Sequence, residues 1–371
     1  MKNNKKKYKY KIAIIPGDGI GKEVTHAAII ILENIIKDLD IKIDKKIFYW
    51  GSNYYRKHGV MMPKNGLEKL SNYDAILFGA VGDPKIPDDI TLWGLRLEIC
   101  QNLDQFANIR PSKYYSGIKS PLNEDIAKKI DWVIVRENSE GEYSGSGGIV
   151  HKNLSNEIGT EISIFTKKGC NRIHEYAFKL AKSRKAKMLT LVTKSNAQRH
   201  GMKVWDKSFQ EMKKKYPEIK TNIVLVDAAT ALMVSTPEKF DVIVATNLHA
   251  DILSDLASAL VGSLGLGSTA NLSLKKGIPS MFEPIHGAAF DIMGKNIANP
   301  IGAILSCAMM MNQLGERKVA DILYKLVEIY TSEGKCFTPD LGGNSKTTEV
   351  TKLFIKNIQK LNLKNSRLLS N

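Results

Sequence analysis

Short runs of consecutive apolar residues alternate along this chain with longer stretches whose apolar positions recur every three or four residues. Lys11–Ile15, Asp74–Ala80, Asp131–Val135, Met188–Thr193 and Asp241–Thr246 read as buried strands. The stretches from about Lys22 to Lys37, Cys170–Arg184 and Asp251–Leu260 carry the helical period. Strand–helix alternation of this kind predicts an α/β fold with much parallel pairing. No internal repeat is evident. Ser144–Thr160 is rich in Gly, Ser and Asn and breaks the alternation, which predicts a protruding loop or hairpin.

Polar residues follow three of these strands. Arg136, Glu137 and Asn138 come after one, Lys194, Ser195 and Asn196 after another, and Asn247 and Asp251 after a third. Ligands of open α/β sheets bind beyond the carboxyl ends of the strands, so the three ends predict one shared site. The plainer alternative is that strand ends are loops and loops are polar.

Composition narrows the class. The chain has 371 residues, 43% of them hydrophobic and 25% charged, enough for a sizeable core and about two domains. No run approaches the ~20 apolar residues of a bilayer span, and the apolar run after the basic N-terminus is too short for a signal peptide. The four cysteines, Cys100, Cys170, Cys307 and Cys336, have no metal-like spacing, which predicts a reduced, cytoplasmic protein. The net charge of +16 admits a polyanion-binding surface. Lys2, Lys5, Lys6, Lys7, Lys9 and Lys11 cluster in what reads as a frayed tail, the remaining Lys are interspersed with Asp and Glu, and no nucleic-acid motif occurs. No nucleic-acid partner is expected.

Several motifs carry candidate chemistry. Gly17-Asp18-Gly19-Ile20-Gly21 follows a strand, but Lys22 stands where the dinucleotide fingerprint needs glycine, so a standard Rossmann site is rejected. Asp251 and Asp255, at i and i+4, share one helical face, where a divalent cation with oxygen ligands would relieve their repulsion. Dipole-favoured placement near a helix start is the alternative, and explains Asp251 better than Asp255. Glu283–Asp291 packs small residues around His286 and Asp291, and would let backbone approach a flat ligand; a packed turn is the plainer reading. Arg110, Arg136 and Lys194 are cations in apolar surroundings. The arginines suit a carboxylate, Lys194 a base and Tyr143 an acid, with structural ion pairs as the alternative.

Taken together, IIPGDGIGKEV, FANIRP, VIVRENSEGEY, TKSN, NLHADILSDLASALVGSLGLG, FEPIHGAAFDIMGKNIANP and TPDLGG resemble, in order, the motifs of the β-decarboxylating dehydrogenases. That family includes isocitrate and isopropylmalate dehydrogenases. The resemblance runs from Ile12 to about Phe354. YYRKHGVMMP, FGAVGDPKIPDDITLWG and TKSNAQRHGMKVWD look most like the tartrate/D-malate branch.

The resemblance implies a non-Rossmann fold of two domains around a cleft: residues 1–106 and 262–371 as a discontinuous cofactor-side domain, and 107–261 as the dimerisation and metal/substrate domain, with 144–165 as a dimer arm. It implies a homodimer with shared active sites, in which Lys194 and Asp227 of one subunit reach the other's Asp251 and Asp255. The implied reaction is oxidative decarboxylation of a malate-type (2R)-hydroxy diacid with NAD and Mg²⁺ or Mn²⁺. Lys194 would be the base and Tyr143 the acid. Arg110 and Arg136 would grip the carboxylate to be lost, and Asp227, Asp251 and Asp255 would hold the metal. His286, Gly287, Ala288, Ala289, Asp291 and Asn299 would line the adenosine pocket. Asp291 favours NAD, because a 2′-phosphate would meet its carboxylate.

One departure bears on substrate. Most members carry an arginine ten residues before the FANIRP arginine, and here that position is Cys100. Arg96, one helical turn earlier, is expected to replace the missing cation. Phe290, Ala250 and Ala288 are smaller departures around the cofactor, and Gln198, Arg199 and His200 read as surface. A 3-isopropylmalate or isocitrate dehydrogenase is the competing enzyme. Arg96 argues against the apolar pocket that the first would need. A non-catalytic paralogue with a basic binding surface is the competitor from another class.

Overall fold

The structure, a computed structural model, describes residues 9–361. Lys2, Lys5, Lys6 and Lys7 lie outside the described residues. Lys9 and Lys11 do not fray: they belong to the first strand, whose backbone pairs with a neighbour from Lys9 onward. The strands are β1 (Lys9–Gly17), β2 (Lys42–Ile47), β3 (Ala75–Ala80), β4 (Ala107–Lys113), β5 (Asp131–Glu137), β6 (Gly141–Val150), β7 (Ile158–Ile164), β8 (Met188–Thr193), β9 (Lys220–Leu225), β10 (Val242–Ala245), β11 (Ser268–Leu272) and β12 (Ser280–Pro284).

Contacts divide the chain into two compact units. The first comprises Met1–Leu103, Tyr115–Lys119 and Gly262–Asn371, the second Asp104–Tyr114 and Ser120–Val261.

In the first unit the strand order is β2-β1-β3-β12-β11. Pairing is parallel except between β11 and β12. Its central strands are buried on both faces, as parallel strands covered by helices must be. The helix Ile301–Gln313 is buried almost all round. Gly17-Asp18-Gly19 makes a structural turn. Asp18 accepts from Ser52 N and Oγ, each at 2.7 Å, and Gly19 (φ 51°) lies so close to Ala288 that a Cβ would stand 1.8 Å from its carbonyl oxygen. Ile20 N donates to that oxygen at 2.8 Å, which moors the loop bearing His286.

In the second unit the order is β4-β5-β10-β8-β9. β4 and β5 are antiparallel and the other pairs parallel. Trp132, Ile134, Ile243, Leu253 and Met233 form its core. The β5, β10 and β8 ends, from which the sequence predicted a shared site, are therefore neighbours. β6 and β7 form a separate antiparallel hairpin with Ile149, Val150, Ile158, Ile162 and Ile164 exposed. Among the described residues no helix is long and apolar enough to cross a membrane.

Candidate active site

Strand alternation brings two arginines together. Asn108 of β4 stands opposite Arg136 of β5, and Arg110, two residues on, shares its face, so the arginines are diagonal neighbours. The helix Asn247–Leu260 supplies Asn247, Asp251 and Asp255 at successive turns, with Ser254 beside them. Arg110 Nη1 lies 3.0 Å from Asp251 Oδ1, 3.9 Å from Asp255 Oδ1 and 2.5 Å from Ser254 Oγ. Arg136 Nη1 bonds the same Asp251 oxygen. Tyr143 of β6 donates its hydroxyl to Asp251 Oδ2 at 3.4 Å, and Arg136 sits 5.3 Å from the centre of its ring. Burial pushes the Asp255 carboxyl above its ordinary value; Arg110 and Arg136 oppose the shift and the charge of Asp251 adds to it.

The same helix is tied to the strand bearing Tyr143. Glu142 accepts from Thr246 Oγ1 at 2.9 Å and from Leu248 N at 3.1 Å, capping the helix start from a distance. Asn247 Nδ2 donates to Glu140 O at 3.3 Å. Glu137, fully enclosed, accepts from Ser139 N, Ser139 Oγ and Glu140 N, and burial pushes its carboxyl up to about 7.

Lys194 bonds Asp227, and that bond holds the Asp227 carboxyl below its ordinary value. Burial lowers the pKa of the His249 imidazole; the charge of Glu142 opposes the shift and that of Lys194 adds to it. Asp227 does not join Asp251 and Asp255 within one chain: among the described residues no group of three His, Cys, Asp or Glu is placed to hold a metal ion. A site shared between two copies does not require them to meet in one.

Arg96 belongs to the first unit and its charge is already matched. Its Nε lies 2.9 Å and its Nη2 2.8 Å from Glu283 Oε1, and Nη2 reaches Asn271 Oδ1 at 3.4 Å. Asn271 Nδ2 donates to the same carboxylate oxygen at 2.7 Å. The cation expected to stand in for the missing substrate arginine is thus paired with a buried glutamate. Cys100, at the usual arginine position, lies in the core. It is fully buried among Ile15, Ile76, Phe78, Leu95 and Ile99. Leu92–Leu97 is a π-helical turn, which shifts the register that α-helical counting assumes.

In the cofactor-side loop, His286 Nδ1 lies 3.0 Å from Gly287 O, while its buried Nε2 has no hydrogen-bond partner among the described residues. Burial lowers its pKa, which favours the neutral ring. A Cβ at Gly287 would meet open space, Ala288 is buried, Ala289 has φ 41°, and Asp291 is exposed. Asn299 donates to Asp340 Oδ2 at 2.9 Å and accepts from Ile301 N at 3.0 Å.

Asn108, Glu142 and Ser254 were not singled out by sequence reasoning. Period-two spacing before Arg110 could have found Asn108; nothing local marks the other two.

The α/β units and this arginine–carboxylate cluster define a class that comparison with known proteins identifies. The chain belongs to the isocitrate/isopropylmalate dehydrogenase family, whose model matches residues 11–356. It is 57% identical over 343 residues to a "Probable tartrate dehydrogenase/decarboxylase" of Agrobacterium vitis, covering 92% of this chain and 96% of that protein. The "D-malate dehydrogenase [decarboxylating]" of Escherichia coli is 43% identical, with 93% of this chain and 98% of that protein covered. The crystal structure of isocitrate dehydrogenase from Methylococcus capsulatus superposes with a TM-score of 0.86 at 31% identity, covering 94% of this chain and 99% of that one. The fold is that of this family.

Proposed function

We propose that this chain catalyses the NAD-dependent oxidative decarboxylation of a malate-type (2R)-hydroxy diacid, tartrate or D-malate in kind. The observation that carries the reading is the convergence of Arg110, Arg136, Tyr143, Asp251 and Asp255 in one unit. The tartrate and D-malate relatives are 43–57% identical to it, against 31% for the isocitrate dehydrogenase, which favours the malate-type substrate.

The residues suit the groups the reaction needs. Asp251 and Asp255 offer hard oxygen donors, and Asp227 would complete the set from a second copy. The unpartnered His286 Nε2, the open side of Gly287 and exposed Asp291 suit an adenosine with free ribose hydroxyls. When bound, Mg²⁺ or Mn²⁺ supplies Lewis acidity and NAD accepts the hydride.

This chain's own residues do the rest. Arg110 and Arg136 hold the carboxylate to be lost, and their charge fixes the orientation of the diacid. Lys194 Nζ takes the hydroxyl proton, and Asp227, bonded to it, orients the ammonium that results. Tyr143 Oη returns a proton at carbon after CO₂ has left. Ala288, Ala289 and Asn299 shape the cofactor side. The exposed apolar hairpin of β6 and β7 would dock on a second copy, which brings Lys194 and Asp227 to the partner's carboxylates. The four cysteines form no disulfide among the described residues, which suits a reducing cytoplasmic setting.

The test is a panel of D-malate, the tartrates, isocitrate and 3-isopropylmalate with Mn²⁺ and either NAD or NADP. NAD-linked turnover of malate or tartrate is expected. Preference for isocitrate, isopropylmalate or NADP would contradict the assignment.

A further inference from the structure

Both arginines of the site are held by the same device. Nε of Arg110 donates to Asn108 Oδ1 at 2.9 Å, and Nε of Arg136 donates to Asn247 Oδ1 at 2.8 Å. Asn108, Arg110, Arg136 and Asn247 are all buried. The asparagines come from different elements, β4 and the first turn of the helix Asn247–Leu260. The bond from Asn247 Nδ2 to Glu140 O fixes which end of its amide faces Arg136.

A guanidinium can chelate a carboxylate along its side edge, through Nε and one terminal nitrogen, or along its end edge, through both terminal nitrogens. With Nε committed to an amide oxygen, a carboxylate is met along the end edge. Nη1 of both arginines accordingly turns to Asp251.

We propose that Asn108 and Asn247 are positioning residues that aim Arg110 and Arg136, so that the carboxylate of the diacid is received end-on by both. The inference rests on the reading of the two arginines as the carboxylate grip. Neither amide touches the substrate; each acts through its arginine.

Asn247→Leu and Asn108→Leu remove the acceptor while keeping the branched shape and the number of heavy atoms. Malonate, a diacid with no hydroxyl to oxidise, is the binding probe, titrated by calorimetry with Mn²⁺ present. Its Kd is expected to rise roughly tenfold in each variant, as loss of an aimed charge-assisted bond implies. KM for D-malate should rise with it and kcat change less. Arg136→Lys separates aiming from a general structural effect, because an ammonium has no side edge to block. In that background Asn247→Leu should move the malonate Kd by less than about twofold.

Equal losses in both backgrounds, or an unchanged Kd in Asn247→Leu at native thermal stability, overturn the proposal. Should Asn247→Leu not fold, Asn108→Leu with Arg110→Lys makes the same cycle on a different element. A protein that binds malonate in this asparagine-dependent way yet turns over no hydroxy diacid contradicts the proposed reaction and leaves the aiming intact. Failure of the unaltered protein to bind malonate overturns the aiming.

Discussion

Asp251 Oδ1 lies 3.0 Å from Arg110 Nη1 and is bonded as well by Arg136, so one carboxylate oxygen faces two guanidinium groups. With Asp255 the four side chains sum to zero charge. A dianionic substrate alone, or a divalent cation alone, leaves two charges uncompensated; together they restore neutrality. Metal and diacid should therefore bind with reciprocal synergy. Asp251→Asn is expected to weaken Mn²⁺ binding at least about tenfold and to lower kcat/KM by about 10³. Calorimetric titration with Mn²⁺, with and without malonate, checks both; an unchanged Mn²⁺ affinity would remove Asp251 from the metal site.

Lys194 and Tyr143 carry the proposed proton transfers. Lys194→Met should lower kcat by about 10²–10⁴ and Tyr143→Phe by about 10², with thermal stability near native, since Lys194 and its partner Asp227 are not enclosed. Steady-state kinetics with D-malate decides it. Near-native kcat in Lys194→Met would place the base elsewhere.

Arg96 and Glu283 are a different case, because both side chains are enclosed, at 11% and 6% exposure. Arg96→Ala strands a buried carboxylate and should cost about 3–5 kcal/mol of stability, whereas Arg96→Met combined with Glu283→Gln should cost much less. Urea unfolding of the two variants makes the comparison. Native stability in Arg96→Ala together with a collapse of kcat/KM would give Arg96 the substrate role that the sequence suggested.

The apolar strands were legible because parallel strands buried on both faces leave an unmistakable run, as in Met188–Thr193. β2 was not: KIDKKI is almost wholly exposed and becomes a strand only through its ladder with β1. The helix bearing Asp251 begins at Asn247, earlier than periodicity implies, because Glu142 caps it across the sequence. Arg136 and Asp251 could be named from residue type and their place after a strand, and Arg110 from residue type and its apolar surroundings. Their asparagine partners, the Arg96–Glu283 pair and the burial of Cys100 depend on register, and a π-helical turn changes register without a local signature.

Glu137 makes a pH prediction. Its folded-state pKa, about 7, stands above the ordinary 4.5, so the folded chain holds the proton more tightly than the unfolded chain. Stability from this group is full below pH ~4.5 and declines as pH rises to ~7, by up to roughly 3 kcal/mol. Glu137→Gln preserves the shape and can still meet Ser139 and Glu140. Its unfolding free energy should lose that slope and exceed that of the unaltered protein at pH 8. Parallel pH profiles of the two proteins would contradict the enclosure of Glu137.

The account turns on oxidative decarboxylation, and simultaneous measurement of NADH and CO₂ with D-malate and Mn²⁺ tests it most directly. One CO₂ per NADH, abolished by chelation of the metal and restored by its return, is the predicted result. NADH without CO₂, or no reduction of NAD with either D-malate or the tartrates, would contradict it.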